Sequence, residues 1–245
     1  MAIEIFNRYE LKFMLSATQK DQLIESILPY MDCDDFNADG KPYSINNIYY
    51  DTYTDDLITT SLQKPLYKEK LRVRGYGVPS LNDNVYVEIK KKYKGLVNKR
   101  RTSFELGEAY KFLETQQVQD ESKIKNKQVL EELKYFLKVH PIFPRVFLGY
   151  DRFAYFSKED KNFRLTLDTN IRSRRFDLHL EDGAFGYLLL PRDKWLMEVK
   201  ISNTMPIWFA EIINKLDIKH VSFSKYGTEF NNFLLNKGNE NGFFV

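Results

Sequence analysis

The sequence predicts an α+β protein, an antiparallel β-barrel with helices packed outside it. Three observations point there. Segments with strand character outnumber helical ones. Several of them alternate strictly, with charge on one face and Val, Ile or Leu on the other. No Gly/Ser/Pro-rich linker divides the 245 residues, so they read as a single domain over 1–235 with a frayed tail at 236–245.

The first strand is expected over Ile3–Phe13. A capping box of Ser16 and Gln19 then opens a helix with an apolar stripe of Leu23, Ile24, Ile27 and Leu28. Strands follow at 45–52, 68–76, 84–92 and 97–104, rich in the Tyr, Val, Ile and Phe that pleated surfaces favour. Val129, Leu130, Leu133, Phe136 and Leu137 mark a second helix. Strands at 145–155, 163–168 and 195–201 come next. Pro206 opens a helix through Ile207, Phe209, Ile212 and Ile213, and a last helix covers 225–235. The GYG at 75–77 reads as a strand end, because no helix-opening pattern follows it.

A barrel has an interior, so the polar strand faces matter. Lys70, Arg72 and Arg74 share one face, opposite Leu71 and Val73. Tyr86, Glu88 and Lys90 oppose Val85, Val87 and Ile89. Lys99 and Arg101 share a face, as do Arg8, Glu10 and Lys12, and Glu198 and Lys200. Net charge is only +3, yet Lys and Arg crowd residues 64–101, where Glu69, Asp83 and Glu88 alone oppose them. Ordinary solvated faces mix both signs and use Ser, Thr and Gln. Recurring Arg and Lys with isolated carboxylates suit a polyanion that shares a hard divalent cation. Lys91 cannot face inward with Lys90 and Lys92. Tyr49, Tyr50 and Tyr53 read as strand aromatics, or as rings that stack on a base. His140, His179 and His220 lack metal-ligand spacing and read as structural or surface residues. The one cysteine, Cys33, excludes an internal disulfide and a cysteine-rich metal site, and fits a cytoplasmic setting. No apolar run approaches the ~20 residues of a membrane helix.

The segments RYELKF (8–13), LRVRGY (71–76), VEIKKKYKG (87–95), KRRTSFEL (99–106), YDRFAYF (150–156), FRLTLD (163–168), MEVKIS (197–202) and SFSKYG (222–227) together resemble a known family. The chain is similar to the catalytic domain of the vacuolar transporter chaperone (VTC) and its bacterial relatives. These belong to the triphosphate tunnel superfamily, with class IV adenylate cyclase and thiamine triphosphatase as cousins. The resemblance spans nearly the whole chain, in the family's order. It implies a tunnel that takes the triphosphate of ATP and extrudes a growing polyphosphate chain. It implies phosphate contacts from Lys12, Arg72, Arg74, Lys90, Lys99, Arg152, Arg164 and Lys225, with Arg72, Arg74, Arg152 and Arg164 as the catalytic cations. Arg8 and Lys200 join the phosphate-binding set from their strand faces. Glu198 is implied as ligand to Mn²⁺ or Mg²⁺, and Glu10 and Glu88 are further metal ligands or internal partners of the arginines.

The cousins begin their first strand with Glu, Glu and Lys at alternate positions. Arg8 stands at the first of these, so the acid pair is incomplete, which fits the polymerase branch. The resemblance covers the catalytic domain alone, so inositol phosphate control and vacuolar translocation do not carry over. The expected partners are ATP, polyphosphate, pyrophosphate or triphosphate, not nucleic acid. Any membrane-protein partner lies outside this chain. Two other readings stay open: a triphosphatase, in which water attacks the same phosphate, and a non-catalytic module that binds RNA or another polyanion.

Overall fold

The computed structural model describes residues 9–94, 96–160, 162–201 and 204–235. Arg8, the expected strand from Ile3 to Arg8 and the tail at 236–245 lie outside the described residues. Contacts divide the chain into two compact units, each assembled from three separate segments.

Unit one takes residues 1–43, 150–171 and 190–224. It contains β1 (Tyr9–Ser16), β2 (Met31–Cys33), β10 (Lys194–Ile201) and the short β11 (Lys219–His220), with helices α1 (Ala17–Ile27) and α5 (Ile207–Lys215). The capping box forms as the sequence predicts: Gln19 N donates to Ser16 Oγ at 3.2 Å, and Ser16 N donates to Gln19 Oε1 at 3.0 Å. Phe13, Leu15, Leu165, Leu167, Met197 and Val199 turn their strand faces onto Leu23, Ile27 and Phe209 of the two helices. Those positions alternate with the charged residues of the same strands, so burying one face commits the other.

Unit two takes residues 44–149, 172–189 and 225–245. Its strands are β3 (Tyr43–Asp51), β4 (Tyr67–Tyr76), β5 (Asn84–Tyr93), β6 (Leu96–Glu105) and β9 (Tyr187–Leu188). Its helices are α2 (Asp56–Leu62), α3 (Leu106–Thr115), α4 (Lys127–Val139) and α6 (Lys225–Leu235). Leu71, Val73, Val85, Val87 and Ile89 pack with Phe112, Leu130, Leu133 and Phe136 in its core. Truncating one of these buried leucines to alanine costs ~2–5 kcal/mol. The long β7 (Phe143–Ser157) and β8 (Arg164–Arg174) contribute residues to both units.

Strand pairing among the described residues runs β11-β1-β10-β8-β7-β3-β4-β5-β6, with β2 on β7 and β9 on β8. The order is open. The expected α+β architecture of antiparallel strands with helices is present, and the barrel takes the form of an antiparallel sheet that is not closed, with six helices. Alternation fixes which residues share a face of each strand, but closure depends on twist and stagger, which alternation does not encode.

Two helices, the short strands β2, β9 and β11, and part of β8 escaped the sequence pattern. α2 reads DLITTSL and has weak intrinsic propensity. Its N-terminus is secured from β3, where the Asp51 carboxylate accepts from the Leu57 and Ile58 amides at 2.8 and 2.9 Å. α3 does carry a stripe of Leu106, Ala109, Phe112 and Leu113, obscured by Gly107 at its second position. β8 runs six residues past its expected end because Arg172 and Arg174, both buried, are satisfied by main-chain carbonyls. Arg172 donates to Ala184, while Arg174 donates to Asp177, His179 and Phe185. The GYG stretch ends β4 as expected, with Gly77 at φ +67° just beyond it. Among the described residues no helix is long and apolar enough to cross a membrane.

Candidate functional site: two charged strand faces

In unit two the register of β3 to β6 stacks the predicted cations into rows across one face. Asn47, Arg74, Tyr86 and Ser103 align; so do Tyr49, Arg72, Glu88 and Arg101. Lys70, Lys90 and Lys99 form the next row, and Lys68 and Lys92 the one after. From the Arg74 row to the Lys68 row, Glu88 is the one acid that β4, β5 and β6 contribute to this face. Its carboxylate is 1% exposed. Arg72 donates to Oε2 from Nε at 2.8 Å, with Nη2 at 2.7 Å, and Lys99 Nζ lies 2.6 Å from Oε1. Arg74 and Arg101 stand at 3.9 and 3.8 Å.

Burial alone would raise the pKa of Glu88, but Arg72, Arg74 and Lys99 outweigh it and hold the carboxyl at about 2. Burial also draws Lys99 down to about 8, against the pull of Glu88 and with the help of Arg74 and Arg72. Lys70 falls to about 8 through burial, with repulsion from Lys68 and Lys90. Burial opposes ionisation of Tyr49, yet Arg72, Lys70 and Arg74 bring its phenol down to about 8.

Unit one carries a second face. Lys12, Glu198 and Thr166 align across β1, β10 and β8, and Glu10, Lys200 and Arg164 form the adjacent row. Lys12 Nζ lies 3.2 Å from Glu198 Oε1 and 3.5 Å from Glu10 Oε1. Arg152 grips the fully buried Asp168 with two hydrogen bonds of 2.6 and 2.7 Å, and its Nη2 is 3.5 Å from Glu198 Oε2. Burial works against the charge of Arg152, but Asp168, Tyr150 and Glu198 more than compensate and raise its pKa. Arg164 lies over the Phe156 ring at 4.9 Å.

The structure thus brings together Arg72, Arg74, Lys90, Lys99 and Glu88 in one unit, and Glu10, Lys12, Arg152, Arg164, Glu198 and Lys200 in the other. Lys225 opens α6 in unit two. Lys91 points off the cationic face toward Glu132 of α4, at 4.0 Å. His140 meets Glu69 at 2.8 Å, His179 meets Asp182 at 3.3 Å, and His220 lies edge-on to Phe13. Tyr50 is buried in the core, while Tyr53 is exposed. Partial burial and then Asp34 raise the Cys33 thiol.

Sequence reasoning did not single out Asp168, although it closes FRLTLD with the same parity as Arg164. It also passed over a buried network in unit two. There Asp55 receives two hydrogen bonds of 3.0 Å from Arg145, and Glu229 receives two from Arg175 at 2.7 and 2.9 Å. Those four residues lie far apart in sequence and carry no shared spacing.

Among the described residues, no three His, Cys, Asp or Glu side chains converge as a metal site. Glu10 and Glu198 do converge on a cation, the Lys12 ammonium. Two carboxylates around one positive charge suit Mg²⁺ or Mn²⁺, which commonly takes one or two protein carboxylates and completes its shell with phosphate and water.

Solved structures share this antiparallel sheet. A candidate adenylate cyclase from Bacillus halodurans shares the fold at a TM-score of 0.52, with 16% identity over 89% of this chain and 95% of its own. A candidate adenylyl cyclase from Hippeastrum, described as having a dominant triphosphatase activity, aligns at a TM-score of 0.49. Its identity is 14%, over 91% of this chain and 95% of its own. No curated protein matches in sequence. The VTC domain model matches residues 7–234, and the chain belongs to the VTC domain family.

Proposed function

We propose that this chain is a polyphosphate polymerase that transfers the γ-phosphate of ATP to the end of a polyphosphate chain. The observation that carries the reading is the face of β4, β5 and β6, where rows of Lys and Arg enclose one buried carboxylate. Such a face is matched by a string of phosphates, whose charge repeats along its length.

Phosphoryl transfer needs placement and charge stabilisation more than a covalent catalyst. A terminal polyphosphate oxygen attacks the γ-phosphorus, a new P–O–P bond forms, the bond to the β-phosphate oxygen breaks, and ADP leaves. The attacking oxygen is already ionised near neutral pH, so no histidine base is required. Arg72 and Arg74 spread their guanidinium forks over the phosphate oxygens, and Lys90 and Lys99 add charge along the chain. In unit one, Asp168 fixes Arg152, and Arg152 in turn orients Glu198. Glu10 and Glu198 would hold Mg²⁺ or Mn²⁺, which screens charge on phosphate oxygens. Glu88, enclosed by cations, serves as their internal counter-ion.

The test is incubation with ATP and each divalent metal, with products resolved by gel electrophoresis. Long polymer is expected. Free phosphate alone makes the chain a triphosphatase, and ATP left intact makes it a polyanion-binding module. Glu198→Gln separates the metal role from a counter-ion role. Turnover is expected to fall about 100-fold or more, while metal-free triphosphate binding holds or tightens. Near wild-type metal-dependent turnover would defeat the ligand assignment.

A further inference from the structure

The two arginines of LRVRGY are not held by acids alone. Across the β3–β4 register Tyr49 faces Arg72 and Asn47 faces Arg74. Arg72 Nη1 donates to the Tyr49 hydroxyl at 2.9 Å, while Nε of the same guanidinium is taken by Glu88. The guanidinium is therefore fixed on two edges. The Tyr49 ring is fixed in turn, lying 4.7 Å from the ring of Tyr226, whose hydroxyl donates to Asp51 at 3.1 Å. Arg74 Nε donates to Asn47 Oδ1 at 2.9 Å, and Asn47 Nδ2 donates to the Leu148 carbonyl at 2.8 Å. Asn47 is fully buried, so its amide has one orientation that satisfies both bonds.

We propose that Asn47 and Tyr49 are positioning residues that aim Arg74 and Arg72 at the phosphates. The inference rests on the proposed phosphate-binding role of those arginines. Guanidinium recognition of phosphate is planar and directional, so a fork left to rotate loses bidentate contact even though its charge remains. Glu88 neutralises charge, whereas a neutral hydroxyl and a neutral amide orient the forks without cancelling it. β3 is suited to this work because its other face, with Ile48, is embedded in the core of unit two. An element that cannot shift holds its partners to small tolerances.

The experiment is a double-mutant cycle read by calorimetric binding of inorganic triphosphate without metal. Tyr49→Phe keeps the ring and removes the hydroxyl. It is expected to weaken binding about tenfold or more, the worth of one hydrogen bond to a charged group, with little change in Tm. In an Arg72→Lys background, Tyr49→Phe is expected to cost nothing further. Equal losses in both backgrounds, or no loss in either, overturn the inference. Arg72→Lys that binds triphosphate as well as wild type overturns the phosphate-binding reading instead. Asn47→Ser with Arg74→Lys gives an independent cycle with the same expected non-additivity. Should Asn47→Ser fail to fold, the Tyr49 cycle decides alone, since Tyr49→Phe leaves no cavity.

Discussion

The charged faces of the two units handle electrostatic strain in opposite ways. On the face in unit one, acids and cations are interleaved: Glu10 and Glu198 flank Lys12, and Asp168 is locked to Arg152. On the face in unit two, one buried carboxylate sits within 4.0 Å of four cations, and further lysines extend the rows. The first arrangement is close to charge balance. The second keeps excess positive charge, and burial together with repulsion from neighbouring cations weakens protonation of Lys70 and Lys99. Local sequence is similar in both places, so the difference comes from which strands lie alongside.

The largest expected effect is on the balanced face. Arg152→Met leaves the buried Asp168 without its bidentate partner and should cost about 3–5 kcal/mol in urea unfolding. The double variant Arg152→Met/Asp168→Leu should recover much of that loss. If Arg152→Met costs under ~1 kcal/mol, the pair does not organise this face.

Glu88→Gln probes the cationic face. Holding the carboxyl at about 2 instead of 4.5 corresponds to stability on the order of 3 kcal/mol at neutral pH. Because the folded-state pKa is depressed, that stability is present above pH 4.5 and disappears as pH falls toward 2. The stability gap between wild type and Glu88→Gln should therefore close in acid. Triphosphate should raise the Tm of the variant more than that of wild type, since the face has gained net positive charge. A pH-independent gap would contradict the assigned role.

Lys70 and Lys99 predict alkaline behaviour on the same face. Their folded-state values lie at about 8, below the ordinary 10.5. Without ligand, stability should rise as pH climbs from 8 to 10.5, because the unfolded chain then binds more protons. Triphosphate affinity should move the other way and weaken about tenfold between pH 7 and 9, as lysine charge is lost. Near pH 8 binding should take up protons, measurable by calorimetry in buffers of different ionisation enthalpy. Binding with no proton uptake would mean that these lysines do not meet the anion.

The smallest effect is expected opposite the cationic face. Lys91→Ala removes a long contact to Glu132, where Arg100 already stands at 3.1 Å. It should change stability by less than ~0.5 kcal/mol and leave triphosphate affinity unaltered. A clear loss of affinity would show that charge acts without regard to strand face.

The amino-acid sequence by itself determined the alternation of each strand, the capping box at Ser16 and the segregation of Lys and Arg into 64–101. These depend on spacing within a few residues, and the period of two commits every second side chain to one face. Tertiary structure alone decided that the sheet stays open and that Asp168, Asn47 and Tyr49 stand behind the arginines. It also separated two glutamates that look alike in sequence. Glu88 in VEIK and Glu198 in MEVK share the same local pattern. Glu88 is sealed among cations from β4 and β6, whereas Glu198 stands beside Lys12 of β1 and Arg152 of β7. A side chain's own strand fixes the direction it points, but its neighbours come from strands brought alongside by long-range pairing. The field that sets its charge and chemistry is therefore absent from the local sequence.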